Sequence, residues 1–131
     1  IFFACELAKR ITVPVTMDFM SVSSYGDGMV SAGNITIKKE LDEDIEGKNV
    51  LIIEDIVDSG NTLFHLKKLL GARGPETLKI ITLLDKPDRR TADIDVDYCG
   101  FVIEDKFVVG YGLDYAQKHR NLPYIGVVVQ E

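Results

Sequence analysis

Three carboxylates and a small glycine-containing turn follow one apolar stretch of this sequence. The stretch is residues 50–53, and the acids Glu54, Asp55 and Asp58 come directly after it in the string "EDIVDSGNT". A continuous apolar run predicts a strand that is covered on both faces. Ligands of open α/β sheets bind beyond the carboxyl ends of the strands, so we expect the three acids to line a ligand site there.

The turn consists of Ser59, Gly60, Asn61 and Thr62, and a predicted helix follows it. Such a turn directs several backbone N–H groups and the positive end of a helix dipole toward one point, which is a phosphate-binding arrangement. Gly60 permits a positive φ and a close approach of the backbone to a ligand. Carboxylates repel a nearby phosphate unless a Mg²⁺ ion lies between them or ribose hydroxyls donate hydrogen bonds to the acids. The stretch therefore predicts binding of a sugar phosphate that carries further metal-bound phosphates.

Two other phosphate-related patterns fit less well. A Walker A loop needs the string GxxxxGK[ST], which this sequence lacks. A response-regulator receiver also has two acids after a strand and a later Lys-Pro, as in Lys86-Pro87. A receiver also needs a separate phosphoacceptor Asp and a Ser or Thr on intervening strands. Only one helix and one strand fit between Asp55 and Lys86, so the receiver pattern fits poorly.

The remaining pattern predicts the elements that position these residues. The predicted ranges are a helix at 1–11, strands at 15–22, 35–41, 49–55, 78–85, 98–103 and 124–130, a helix from Thr62 to about 71–74, and a long loop at 23–34. Leu63, Leu66 and Leu70 form one apolar stripe on the second helix. The order strand–helix–strand predicts a parallel sheet with a right-handed crossover. The 131 residues suit a single domain.

Composition limits the possible partners. The net charge of −6 argues against a nucleic-acid or anionic-membrane partner, and no apolar run reaches the roughly 20 residues that span a bilayer. Cys5 and Cys99 have no CxxC spacing, so we expect two reduced, buried thiols in a cytoplasmic protein. The first residues are typical of the middle of a helix, which predicts that the chain is cut near its N-terminus.

The string "EDIVDSGNT" resembles the phosphoribosyl-pyrophosphate signature of type I phosphoribosyltransferases. Together with "DFMSVSSYG", "LLDKP" and "DKFVVGYGLDY", it makes residues 2–129 similar to the hypoxanthine-guanine phosphoribosyltransferase family. The resemblance implies an α/β fold with a mainly parallel sheet, flanking helices and a small hood. It also implies that the N-terminal part of the family core is missing, because the Lys-Gly loop that binds pyrophosphate would precede Ile1.

The resemblance implies roles for the residues that match the phosphoribosyl-binding motif. Glu54 and Asp55 would hold the ribose hydroxyls and, through them, Mg²⁺. Asp58 would lie near N7 of the purine and act as the general base. The turn from Ser59 through Gly60 and Asn61 to Thr62 would bind the 5′-phosphate.

The later motifs would bind the base and the pyrophosphate. Lys86 would donate to the exocyclic O6 of a 6-oxopurine, Phe107 would stack on the ring, and Val108 would bind the base through its carbonyl. Asp114, which borders the purine site, would be a second Mg²⁺ ligand, and Arg120 would contact pyrophosphate. Ser24 and Tyr25 would belong to a mobile loop that closes over the reaction.

The resemblance thus predicts a Mg²⁺-dependent enzyme of purine salvage. Its substrates would be phosphoribosyl pyrophosphate and hypoxanthine or guanine, and it would be a homodimer or homotetramer in the cytoplasm. Two alternatives stay open: an enzyme of the same fold for another base, such as xanthine, and a non-catalytic regulator of this fold that binds nucleic acid.

Overall fold

A computed structural model describes residues 1–24 and 35–129 of the chain. The elements, in chain order, are α1 (Phe2–Ala8), β1 (Ser21–Ser24), β2 (Ile35–Lys39), β3 (Asn49–Val57), α2 (Asn61–Gly71), β4 (Thr77–Asp85), a 3₁₀ turn (Pro87–Arg89), β5 (Tyr98–Val102), β6 (Val108–Val109) and β7 (Gly126–Val127).

The central sheet has three parallel strands in the order β3-β4-β5. Val57, Asp85 and Val102 lie side by side at the carboxyl ends of the three strands, because Val57 pairs with Asp85 and Asp85 pairs with Val102. The chain segments that follow the three strands therefore leave the sheet at one edge. This arrangement confirms the predicted parallel sheet.

Helix α2 connects β3 to β4 and covers one face of the sheet. Its buried residues Leu63, Leu66 and Leu70 form the predicted stripe, and they pack in one cluster with Ile52 of β3 and Ile80 of β4. Burial of a leucine or isoleucine side chain contributes about 1.5–3 kcal/mol. The stripe therefore holds α2, and with it the turn that precedes the helix, against the sheet.

Two small antiparallel pairs flank this core. Strands β1 and β2 form one pair, and β6 and β7 form the other. Val22 of β1 and Ile35 of β2 pack against the main cluster, so the first pair is attached to the core through these side chains. The predicted strand at 35–41 is confirmed from Ile35 to Lys39.

The predicted strand at 15–22 is wrong for most of its length. Only Ser21 and Val22 of that range lie in β1, and the alternate residues Val15, Met17 and Phe19 are exposed. The Asp18 carboxylate instead accepts hydrogen bonds from backbone amides of the segment after β2. A side chain, and not a strand ladder, therefore anchors this segment.

Three further expectations need correction. Of the predicted strand at 124–130, residue 130 lies outside the described residues, and within 124–129 only Gly126–Val127 form a strand, paired with the two residues of β6. Strand β3 is mostly half-buried and not covered on both faces. Cys5 and Cys99 are free but exposed, and Cys99 lies in β5, an edge strand whose residues are all exposed.

The predicted start of the long loop is also wrong. The long loop was expected to begin at residue 23, yet Ser23 and Ser24 lie in β1.

No helix within residues 1–24 and 35–129 is long and apolar enough to cross a membrane.

Candidate functional site

The site begins where the three central strands end. Asp58 follows β3, and Lys86 follows β4. The Lys86 amide donates to the carbonyl of Val57 at 3.0 Å, and the Ile103 amide donates to the carbonyl of Asp85 at 2.8 Å. These two bonds extend the ladder past the strands, so the following loops start from fixed positions.

Glu54 and Asp55 lie inside β3, because the strand continues to Val57 and does not end at residue 55 as predicted. Burial of the Glu54 carboxyl, assisted by the negative charge of Asp55, raises its pKa from 4.5 to about 7. One carboxylate oxygen of Asp55 accepts the amide of Ile56 at 2.7 Å. The two acids therefore differ in environment, and Glu54 holds its proton more tightly than a solvated glutamate.

The turn after Asp58 has the geometry expected of an anion-binding helix start. Gly60 has φ +79°, and α2 begins at Asn61, one residue before the predicted start. The first intrahelical hydrogen bond runs from the Phe64 amide to the Gly60 carbonyl at 2.9 Å. The amides of Thr62 and Leu63 precede this ladder and donate to no acceptor within residues 1–24 and 35–129, so they can donate to a ligand.

The turn is packed from behind by residues 90–94. The carbonyl of Ser59 accepts the amides of Thr91 and Ala92 at 3.0 and 3.1 Å. A Cβ added to Gly60 would lie 2.7 Å from Cγ2 of Ile94 and 3.0 Å from Cδ of Arg90. A glycine is thus required by both the backbone angle and the packing.

Arg90 joins this packing to the end of β4. Its Nε donates to the carbonyl of Asp58 at 3.3 Å, its Nη1 donates to the carbonyl of Ile94 at 2.8 Å, and its Nη2 pairs with the carboxylate of Asp85. The side chains of Arg90 and Asp85 are both largely buried. Sequence reasoning assigned neither residue a function, and Arg90 holds the backbone of the predicted base in place.

Lys86 is buried, which is unusual for a lysine. Its ammonium lies 3.8 Å from Oδ1 of Asp105, a residue of the loop after β5. This pairing brings the loops after β4 and β5 together. Sequence reasoning found Lys86 but missed Asp105.

Arg89 contacts two carboxylates from different loops. Its Nε donates to Oδ1 of Asp58 at 3.1 Å, and its Nη1 lies 3.7 Å from Oδ2 of Asp105. Sequence reasoning also missed Arg89. The only local signal was its position three residues after Lys86, across Pro87.

Asp114 and Arg120 form a second polar unit in the loop between β6 and β7. Nη2 of Arg120 lies 3.2 Å from Oδ1 of Asp114, and its Nη1 donates to the carbonyl of Gly112 at 2.8 Å. The other oxygen of Asp114 accepts the amide of Gln117 at 2.7 Å. Ala116 and Gln117 both have positive φ, a strained conformation that clusters at functional loops.

Phe107 and Val108 lie between these two units along the chain. The Phe107 ring is 53% exposed and meets the Tyr115 ring edge-on, with centroids 5.4 Å apart. Val108 pairs with Val127 in the small sheet. An exposed ring on a fixed backbone is available to stack on a planar ligand.

Two of the predicted residues lie at or beyond the edge of the described residues. Tyr25 lies outside the described residues, and of Ser24 only its place in β1 is described.

Among the described residues, no group of three or more His, Cys, Asp or Glu side chains could hold a metal ion. Any ion at Glu54, Asp55 or Asp114 would therefore need further ligands from a substrate or from water.

Comparison with known proteins gives one consistent result. Residues 1–116 match the profile of the phosphoribosyl transferase domain family. Hypoxanthine phosphoribosyltransferase of Salmonella typhimurium is 56% identical over 127 residues, which is 97% of this chain and 71% of that protein.

Solved structures agree with the sequence relatives. A hypoxanthine phosphoribosyltransferase from Staphylococcus aureus superimposes with a TM-score of 0.93 at 52% identity, over 98% of this chain and 70% of that one. A hypoxanthine-guanine phosphoribosyltransferase from Bacillus anthracis superimposes with a TM-score of 0.92 at 49% identity, over 98% of this chain and 75% of that one.

Replacing Gly60 by alanine is expected to destabilise the protein more than the same change at Gly47. Both glycines have positive φ, but a Cβ at Gly47 would meet nothing within 4 Å. Gly47→Ala should therefore cost about 1–2 kcal/mol for the backbone alone. Gly60→Ala should cost about 1–3 kcal/mol more, because Ile94 and Arg90 must move. Urea denaturation of both variants measures the difference, and equal losses would show that the packing is not tight.

Glu54 is expected to make the metal-free protein less stable as the pH rises. The pKa of Glu54 is raised in the folded state, so protonation of this carboxyl stabilises the folded protein. This stabilisation is complete below pH 4.5 and is lost as the pH rises to about 7. Relative to Glu54→Gln, the free energy of unfolding of the wild type should fall by about 3 kcal/mol across that window. Denaturant titrations at several pH values in the presence of a chelator test this, and a difference that does not vary with pH would contradict it.

Proposed function

Because the chain belongs to the phosphoribosyl transferase domain family, we propose that it is a purine-salvage enzyme. It transfers the phosphoribosyl group of 5-phosphoribosyl 1-pyrophosphate to hypoxanthine. The products are inosine monophosphate and pyrophosphate, and the reaction is a pentosyl transfer.

The observation that carries this proposal is the convergence of three different groups at the carboxyl edge of one sheet. The glycine turn at residues 59–62 supplies free amides, Asp58 supplies a carboxylate, and Lys86 supplies a buried ammonium. Asp58 and Lys86 directly follow the paired residues Val57 and Asp85 of adjacent strands. Adjacent strands are about 4.8 Å apart, so a ligand held by the turn can reach both side chains.

Each group has a distinct task in the proposed reaction. The amides at the start of α2 bind the 5′-phosphate, so that the sugar C1 is presented at the edge of the sheet. Asp58 accepts the proton that the purine loses when its nitrogen attacks C1. Lys86 donates to O6 of hypoxanthine, and adenine lacks that acceptor.

Phe107 and Val108 complete the binding of the base. The half-exposed ring of Phe107 stacks on the purine, and the backbone of Val108 is fixed by β7 so that its carbonyl can accept from the base edge. The ring contact holds the plane of the base, and the polar contacts select its substituents. A base held in this way is oriented before the bond forms.

Mg²⁺ fits the carboxylates that the site offers. Asp55 keeps one oxygen free of the Ile56 amide, Glu54 lies beside it, and Asp114 lies in the loop of Arg120. Carboxylate oxygens are the protein ligands that Mg²⁺ prefers, usually together with substrate phosphates. When bound, the ion neutralises the charge of the departing pyrophosphate. Arg120 adds a fixed positive charge for the same leaving group.

Several finer features stay predictions. They are the use of guanine, the lid function of Ser24 and Tyr25, the cytoplasmic location and a homodimeric or homotetrameric assembly. An enzyme for another base, such as xanthine, and a nucleic-acid-binding regulator remain the alternatives. These alternatives are distinguished by assaying four purines with phosphoribosyl pyrophosphate and Mg²⁺ in the natural protein that carries this sequence. Salt-sensitive RNA or DNA binding without turnover would favour the regulator.

Asp58→Asn is expected to lower kcat by about 10²–10⁴-fold, because an amide cannot accept the proton from the purine. The KM for phosphoribosyl pyrophosphate should change little, since the phosphate turn is intact. Steady-state kinetics with hypoxanthine measure both constants. Unchanged turnover would remove Asp58 as the base.

Lys86→Ala is expected to reduce the preference for hypoxanthine over adenine. The donor to O6 is lost, so kcat/KM for hypoxanthine should fall by roughly 10²-fold while that for adenine stays low. Competition between the two bases in one assay measures the preference directly. An unchanged ratio would contradict the assignment of Lys86.

A further inference from the structure

Four charged side chains form a continuous bridge across the ends of the three central strands. Asp58 pairs with Arg89, Arg89 reaches Asp105, and Asp105 lies beside Lys86. The two ends of this bridge are the proposed base and the proposed O6 donor. Its two middle residues, Arg89 and Asp105, have no role in the proposed function as described above.

The contact between Asp105 and Lys86 fixes the ammonium without using its donors. The distance of 3.8 Å is an ion-pair distance, yet it is too long for a hydrogen bond. The Lys86 side chain is only 8% exposed, whereas Asp105 is 50% exposed. Asp105 is the one carboxylate within 4 Å of this ammonium among the described residues, because the neighbouring Asp85 pairs with Arg90. Within the described part of the chain the Lys86 ammonium donates no hydrogen bond, so its N–H groups are available to a ligand.

The contact between Arg89 and Asp58 orients the carboxylate. Oδ1 of Asp58 accepts from Nε of Arg89, and within the described part of the chain no residue donates to Oδ2. One oxygen is therefore held while the other can accept from a ligand. Nη1 of the same guanidinium lies 3.7 Å from Asp105, and a planar guanidinium can contact two carboxylates in this way.

The 3₁₀ turn after β4 places both cations on the same side. Pro87 begins the turn, and the Arg89 amide donates to the Lys86 carbonyl at 3.1 Å. Lys86 precedes the turn and Arg89 ends it, and both cations lie within 4 Å of the Asp105 carboxylate.

We propose that Arg89 and Asp105 are positioning residues for the transfer reaction: Asp105 holds the Lys86 ammonium for base selection, and Arg89 orients Asp58 and couples it to Asp105. This inference rests on the roles of Asp58 and Lys86 in the proposed function. The competing explanation is a pair of ordinary surface ion pairs, which contribute little when their members are half exposed.

Asp105→Asn tests the Lys86 end of the bridge. The KM for hypoxanthine should rise roughly tenfold, and the preference for hypoxanthine over adenine should fall, because the buried ammonium loses its counter-ion. The KM for phosphoribosyl pyrophosphate should stay within about twofold. The matched control is Glu104→Gln, since this adjacent carboxylate pairs with Lys106 at 2.8 Å and not with the bridge.

Arg89→Gln tests the Asp58 end. Here kcat should fall roughly three- to tenfold with little change in the KM for hypoxanthine, since the carboxylate loses its orientation. Arg89→Lys should recover part of kcat, because a lysine can pair with one carboxylate but cannot contact two. Asp88→Asn, in the same exposed 3₁₀ turn, is the control. The double variant Arg89→Gln/Asp105→Asn should lose less than the product of the single losses if the two residues act together.

Thermal denaturation of each variant accompanies the kinetics, and Arg89→Lys remains informative if Arg89→Gln does not fold. Wild-type kcat, KM and base preference in Arg89→Gln and Asp105→Asn would overturn the bridge, and so would equal effects in the two control variants. The proposed function stands in that case if Asp58→Asn is still slow. Absence of hypoxanthine transfer by the wild type would refute the proposed function, and the bridge with it.

Discussion

One largely buried arginine holds the loop after β4 against the turn after β3, and the strand-end site depends on that contact. Arg90 pairs with Asp85 and donates to the carbonyls of Asp58 and Ile94. Loss of one partner of a buried ion pair leaves an uncompensated charge and costs about 3–5 kcal/mol. The Gly60 turn is packed against the same loop. The Arg90 guanidinium therefore fixes both Asp58 and the amides at the start of α2.

The same sheet edge concentrates negative charge, and the chain reduces that charge in two ways. Asp58, Asp85 and Asp105 each have a cationic partner. Glu54 has no such partner among the described residues, and its pKa of about 7 reflects burial next to Asp55. A cation that arrives with a phosphorylated substrate would favour the ionised form of both acids. Glu54 and Asp55 are thus suited to binding a metal ion together with substrate.

Local patterns predicted the central architecture well and the periphery poorly. The leucine stripe of α2 and the apolar runs of β3 and β4 are buried together when the helix packs on the sheet, and the structure has that arrangement. The alternation of Val15, Met17 and Phe19 is equally typical of a strand, yet within residues 1–24 and 35–129 no strand pairs with that segment. A strand depends on a partner, and the pattern of a single segment does not contain the partner.

The sequence by itself determined which chemical groups lie near the ends of the two central strands: three carboxylates and a glycine turn near the end of β3, and a lysine after β4. These features depend on neighbouring residues, through side-chain periodicity and the backbone freedom of glycine. Only the tertiary structure decided that Lys86 is buried beside Asp105, that Arg89 joins Asp105 to Asp58, and that burial raises the pKa of Glu54. Those properties arise from residues far apart in the chain, which the order and register of three parallel strands bring to one edge. Burial and charge pairing depend on that final arrangement, and a local pattern cannot specify it.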